Sequence, residues 1–376
     1  MYKNINEIRK HVLDNNAQSH LCICNTDLYE DSILNGIYGF PHQGSSKTKS
    51  FWRAVASMYN IGPHDLIFIY RTNGAAAGCK EIHGPFKIKS LVGIPALYYD
   101  PASVDYPMNI PGESGADCKV RFLYEKAFDI CRSLSDNYEL IKKFESKEIW
   151  GYRHPSVMNI GAARKKSVTS FTSKQTLLLL DLLERFGKDR QKIENSIPTD
   201  EHLEYYTSLS NKKSFKLDDA FLTSSSTNDE AFLYAYILRG LKTRNSVISN
   251  LLIQNFTDIN STLIDIPFDQ ISVNAMLEVI ISPHLQDELD IVLMDKNDSR
   301  MLFMELKEGV IDQSALNQAV RYLDLLSAVF PERKVYANVI GSGKDPFAEI
   351  PSGFSDRICV ISFNKIRNGH IEFQKV

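Results

Sequence analysis

The sequence predicts a two-domain α+β protein, a small N-terminal β-barrel with helices followed by a mixed sheet flanked by helices. Three observations carry that expectation. The chain has 376 residues, more than one ordinary hydrophobic core accommodates. Apolar density falls over 187–227, where GKDRQKIENS, SNKKSFKLDD and TSSSTND are rich in Lys, Asp, Asn and Ser. On either side of that stretch, strand-like and helix-like runs alternate.

Taken in order, SHLCICN and DLIFIYR read as strands on either side of a helix, KSFWRAVASMY. A Pro- and Gly-containing stretch from Pro101 to Gly115 precedes a strand, CKVRFLYEK, and helical patterns occupy Ser135 to Phe144 and Ser173 to Phe186. Past the polar stretch comes the amphipathic run DEAFLYAYILRGL, whose Ser-, Thr-, Asn- and Asp-rich entrance offers N-cap residues. Strands are expected near Leu277 to Ser282, Leu289 to Met294 and Met301 to Leu306, then a helix from about Ser314 to Val329, then strands KVYANVIG and RICVISF. The expected organisation is therefore a first domain over 1–186, a polar linker over 187–227 and a second domain over 228–376.

Bulk composition narrows the function classes. A formal net charge of -3 supplies no global positive field, so any nucleic-acid surface is local. The six cysteines (Cys22, Cys24, Cys79, Cys118, Cys131, Cys359) lack CxxC or zinc spacing and read as reduced thiols. His42, His64, His83 and His154 also lack ligand spacing. The polar start MYKNINEIRKHVLDNN does not resemble a secretory signal, and no apolar run approaches the ~20 residues needed to cross a bilayer. A cytoplasmic protein with no membrane partner is expected.

The most informative segment is ELDIVLMDKNDSRMLFMELKEGVIDQSALNQAVRY, from Glu288 to Tyr322. Side chains two apart on a strand share a face, so Glu305 and Lys307 project together. If the polar run DKNDSR closes a hairpin symmetrically, Asp290 falls opposite Glu305, with Cβ atoms about 5 Å apart. Two close carboxylates repel unless a cation holds them, and Mg2+ (or Mn2+) suits one or two carboxylates plus a substrate phosphate. Lys307 beside that ion is placed to orient a water and to stabilise charge on the phosphate. Gln318 and Tyr322 lie one helical turn apart and face the same way. Glu230 offers a further acid, with a helix-dipole role as its alternative.

An Asp, a spacer, ExK and then QxxxY resembles the PD-(D/E)XK nuclease superfamily, in particular its RecB-like and archaeal mismatch-endonuclease-like branches. The likeness runs from about Asn228 to Ser342. It implies Asp290 and Glu305 as metal ligands, Lys307 as the catalytic lysine, Gln318 and Tyr322 as supporting or nucleic-acid-contacting residues, and Glu230 as the acid of the first core helix. The chain departs from many relatives in having Glu288 and Leu289 before the metal-binding Asp, where Gly or Arg is frequent.

The first domain carries NGIYGFP, FWRAVASMYNIGPHDLIFIYRT and IHGPFKIKS. This arrangement resembles the PUA-like group that includes EVE and YTH domains, and the likeness reaches about Lys166. It implies nucleic-acid binding, often with a modified base in a pocket. Stacking a flipped base requires flat walls, for which Tyr38, Phe40, Trp52, Trp150 and Tyr152 are candidates, while Arg153, Arg164, Lys165 and Lys166 are candidates for phosphate contacts. Taken singly, such aromatics are more often core and such basic runs more often solvated surface. Together the two halves imply a magnesium-dependent DNA endonuclease of the modification-dependent restriction type, acting as a homodimer. The alternatives are an RNA or mismatch/branched-DNA repair nuclease and a non-catalytic nucleic-acid-binding protein.

Overall fold

The computed structural model describes residues 2, 4–24, 36–42, 49–72, 81–89, 97–98, 117–127, 131–135, 138–152, 168–190, 221, 230–242, 273–282, 287–295, 299–365 and 371–376. The chain divides into two compact units, Met1–Ala220 and Phe221–Val376, each a mixed α/β structure. Among the described residues no helix is long and apolar enough to cross a membrane.

Unit 1 begins with α1 (Ile5–Asn15), capped by the Asn4 side chain and ended by Asn16 in the left-handed region at φ 47. Strands β1 (Ser19–Cys24), β2 (Ile37–His42), β3 (Leu66–Arg71), β4 (Glu81–Ile88), β5 (Leu97–Tyr98), β6 (Asp117–Lys126), β7 (Cys131–Ser135), β8 (Val168–Phe171) and β9 (Lys188–Arg190) form one sheet. Its main order is β2-β6-β4-β3-β1-β8, and among the described residues β1 and β3 pair in parallel while its other pairs are antiparallel. Helices α2 (Lys49–Tyr59), α3 (Tyr138–Phe144) and α4 (Ser173–Phe186) accompany it, with a short 3-10 turn at Lys147–Ile149. The helix expected from Ser135 starts later, because Ser135 belongs to β7, which pairs with β4. Lys188–Arg190, inside the stretch read as linker, pairs with β7.

The core of unit 1 is aromatic. Tyr38, Phe40 and Phe122 form a ring cluster with centroids 5.4 to 5.8 Å apart, and Trp52 packs on Phe51 at 5.1 Å. The unit also holds a buried polar chain in which Asp65 accepts the Gln18 and Gly62 backbone N–H groups and lies 2.9 Å from His20 Nε2. The other ring nitrogen of His20 is 2.9 Å from Ser170 Oγ, so buried polar groups of β1, of β8 and of the residue before β3 are paired. Cys22, Cys24 and Cys359, the last in unit 2, are buried cysteines.

Unit 2 is a six-stranded sheet in the order β10 (Val273–Ser282), β11 (Asp287–Asp295), β12 (Arg300–Leu306), β14 (Lys334–Gly341), β16 (Ile358–Lys365), β17 (Ile371–Lys375). The first three strands form an antiparallel meander, β12, β14 and β16 are parallel, and β17 returns antiparallel. Two-residue strands β13 (Val310–Ile311) and β15 (Gly343–Lys344) pair beside it. Met301 to Leu306 are all buried, as expected for a central strand covered on both faces. Helix α6 (Gln313–Val329) makes the β12-to-β14 crossover, with Asp312 as N-cap, and buries Ala315, Leu316, Ala319, Tyr322, Leu323 and Leu326. Helix α5 (Glu230–Lys242) is buried at every position from Ala231 to Leu238, which marks an internal helix.

Candidate metal centre

The hairpin turn is closed by Asp295, whose Oδ1 accepts the backbone N–H of Ser299 at 2.7 Å and that of Arg300 at 3.1 Å. Pairing of β11 with β12 then runs Met294 to Met301 and Ile291 to Met304. Continued by one residue beyond its last pair, that register would set Asp290 opposite Glu305. The carboxylate of Asp290 also reaches across, and its Oδ2 accepts the Leu306 backbone N–H at 2.6 Å.

Lys307 follows at the end of β12, where its backbone N–H donates to Ile340. Its Nζ donates to Glu305 Oε1 at 2.8 Å and to Gln318 Oε1 at 3.0 Å. Gln318 in turn donates to the Tyr322 hydroxyl at 2.7 Å. The spacing of Gln318 and Tyr322 on α6 therefore delivers both toward the hairpin, with Gln318 touching the lysine and Tyr322 behind it. Tyr322 is 2 % exposed and packs edge-on against Phe303, so it braces the site from within. The Lys307 side chain keeps 28 % exposure.

Electrostatics mark the pair of acids. Burial, followed by the charge of Glu305, pushes the Asp290 carboxyl well above its ordinary range, against bonds from Tyr234 and Leu306 that favour the anion. Burial also raises Glu305, opposed by Lys307. Burial pulls the Lys307 ammonium down, yet the charge of Glu305 and its hydrogen bond outweigh it, and the net direction is up. Glu305 is 4 % exposed, and its Oε2 is buried with no hydrogen-bond partner. A desolvated carboxylate oxygen with nothing to accept is what a cation would satisfy.

Two further residues belong to this site and were not picked out in the sequence. Tyr234, one turn beyond Glu230 on α5, donates to Asp290 Oδ1 at 2.5 Å. The negative charge of Glu230 also acts on Asp290, Glu305 and Tyr234. Glu278 on β10 sits between Leu277 and Val279, which pair with Ile291 and Leu289, so it falls opposite Asp290. Its φ is 48, a left-handed conformation inside a strand. The i to i+4 spacing of Glu230 and Tyr234 was a readable signal, whereas an inverted φ at a glutamate was not.

Asp290 and Glu305 are the side chains here that could hold a divalent ion. Among the described residues no cluster of three or more His, Cys, Asp or Glu side chains is arranged to hold a metal. Two carboxylates are nonetheless a sufficient protein contribution for Mg2+ or Mn2+, which complete their shells with water and phosphate oxygens.

Unit 1 distributes its predicted residues differently. Tyr38, Phe40 and Trp52 are 2 %, 0 % and 0 % exposed, with their rings packed as core. Tyr152 is buried against Phe171, 5.1 Å between centroids, and Trp150 is half-buried with its carbonyl accepting from Gln175. Arg153, Arg164, Lys165 and Lys166 lie outside the described residues, as does any N-cap of α5. Compared with protein-family models and with curated proteins, the sequence matches none.

Proposed function

We propose that this chain is a divalent-metal-dependent nuclease that hydrolyses phosphodiester bonds in DNA, with Asp290 and Glu305 holding Mg2+ or Mn2+ and Lys307 acting at the scissile phosphate. The observation that carries the reading is the meeting of Asp290, Glu305 and Lys307 at the end of one hairpin, with a buried Glu305 oxygen left unpaired. When bound, the ion supplies positive charge at the phosphate and favours ionisation of a water.

The side chains do the rest. Glu305 and Gln318 fix the Lys307 ammonium, leaving it one of its three protons for a water or a phosphate oxygen. Water attacks phosphorus in line and gives up a proton to solvent as one ester P–O bond breaks, the departing oxygen takes up a proton from solvent, and the ammonium offsets the charge growing on the phosphoryl oxygens. Gln318 and Tyr322 act by holding Lys307, and Glu230 adds negative charge nearby. A scaffold without catalysis would have no use for a desolvated acid pair beside an oriented lysine, which favours the enzyme over the non-catalytic alternative.

Selection of a modified base by unit 1 is supported by the sequence resemblance; of the proposed stacking walls, Trp150 is the one whose surface is not buried. One site per chain requires two chains to break both strands of a duplex, so a homodimer is part of the proposal.

The test is incubation of wild type, Asp290→Ala, Glu305→Ala and Lys307→Ala with plain and cytosine-modified plasmid, mismatched duplex and RNA, in magnesium and in chelator. Magnesium-dependent DNA cleavage by wild type alone is expected. Undiminished cutting by the three variants would overturn the assignment, and cleavage confined to RNA or mismatched duplex would redirect the substrate.

A further inference from the structure

Both oxygens of Asp290 are anchored from different elements. Oδ1 accepts the Tyr234 hydroxyl of α5 at 2.5 Å, and Oδ2 accepts the Leu306 N–H of β12 at 2.6 Å. Two donors on opposite oxygens fix the plane of the carboxylate, and each oxygen retains a lone pair for another partner. Glu305 is held on one oxygen alone, by Lys307. The acid facing it therefore has to be set rigidly if both are to meet one ion.

We infer that Tyr234 is a positioning residue of the cation site, orienting Asp290 for metal binding and tying α5 to the hairpin. This rests on the metal reading proposed above. A hydroxyl-to-carboxylate bond of this kind orients a ligand without touching the ion, and loss of such partners typically costs about 10- to 100-fold in metal affinity.

The same helix supplies its own control. Tyr236 is 6 % exposed against 3 % for Tyr234, and its hydroxyl accepts the Ile371 backbone N–H at 3.1 Å. If both tyrosines merely brace the fold, replacing either by Phe costs stability alike and changes cation affinity equally or not at all. If Tyr234 positions Asp290, only its replacement weakens binding.

Titrating Mn2+ into full-length wild type, Tyr234→Phe and Tyr236→Phe, by calorimetry and by the paramagnetic resonance of free ion, separates these cases, with melting temperatures recorded for each. The expected result is binding by wild type and Tyr236→Phe, and a loss of about 10-fold or more in Tyr234→Phe at comparable folded content. Equal affinity in wild type and Tyr234→Phe would overturn the inference while leaving the metal site standing. Equal weakening in both variants would overturn it too, reducing Tyr234 to a brace. Absence of Mn2+ binding in wild type would remove the metal reading itself, and the inference with it.

Discussion

Lys307 Nζ and Gln318 Oε1 are 3.0 Å apart, joining the residue just past the hairpin to the second turn of the helix that follows it. The amide turns its other end to the Tyr322 hydroxyl, so its orientation is set before any substrate arrives. Gln318→Ala should release the ammonium from one of its two anchors while leaving both acids in place. The expected outcome is a fall in single-turnover cleavage of up to about 100-fold, the usual scale for a catalytic group displaced by an ångström. DNA affinity measured in Ca2+ should stay within about 2-fold, because no carboxylate has moved.

Metal addition should stabilise the fold. The paired acids are buried and mutually repelling, and a ligand that binds only the folded state at about 100 times its Kd adds about 2.7 kcal/mol. Urea unfolding in MgCl2, against KCl at equal ionic strength, should show an increase in wild type and none in Glu305→Ala.

The pH dependence has a definite sign. The Glu305 carboxyl is raised in the folded chain, so the native state holds that proton more tightly than the unfolded state. Its contribution to stability is fully present below the ordinary carboxylate range and is lost as pH rises through the raised folded value. In metal-free protein, the unfolding free energy of wild type relative to Glu305→Gln should therefore fall as pH is raised from about 4. Manganese affinity should move the other way, since binding displaces the same proton.

Glu278 supplies a backbone test. A left-handed conformation costs an L-residue about 1–2 kcal/mol and glycine nearly nothing, whereas in an ordinary strand glycine is worse than alanine by about 0.5–1 kcal/mol. Glu278→Gly should accordingly be more stable than Glu278→Ala by about 1 kcal/mol in urea denaturation. The reverse order would show that this φ is not held in solution.

What was legible in the sequence follows from periodicity and register. The runs around Asp290 and Glu305 are apolar on both faces and separated by a polar turn, so counting from Asp295 and Arg300 brings the acids opposite one another. Gln318 and Tyr322 follow from helical spacing. Short elements were not legible, because Val310–Ile311 and Gly343–Lys344 are too brief to show a period. Nor was α1, where only Ile8 and Val12 are buried among charged neighbours. The rings of Tyr38, Phe40 and Trp52 illustrate a different limit: an aromatic side chain looks the same in sequence whether it lines a pocket or fills a core. Tyr234 was hidden in a helix buried almost all round, where one polar hydroxyl does not disturb the apolar pattern.

Asp290, Glu305, Lys307, Gln318 and Tyr322 all come from one uninterrupted stretch of chain, held by a hairpin and the helix after it. Contacts so near in sequence close with little loop entropy, and they are among the first a folding chain can make. The chemically committed part of unit 2 should thus take shape ahead of the parallel strands β14 and β16. Docking of α5, which brings Tyr234 from 56 residues upstream, then becomes the late event that finishes it.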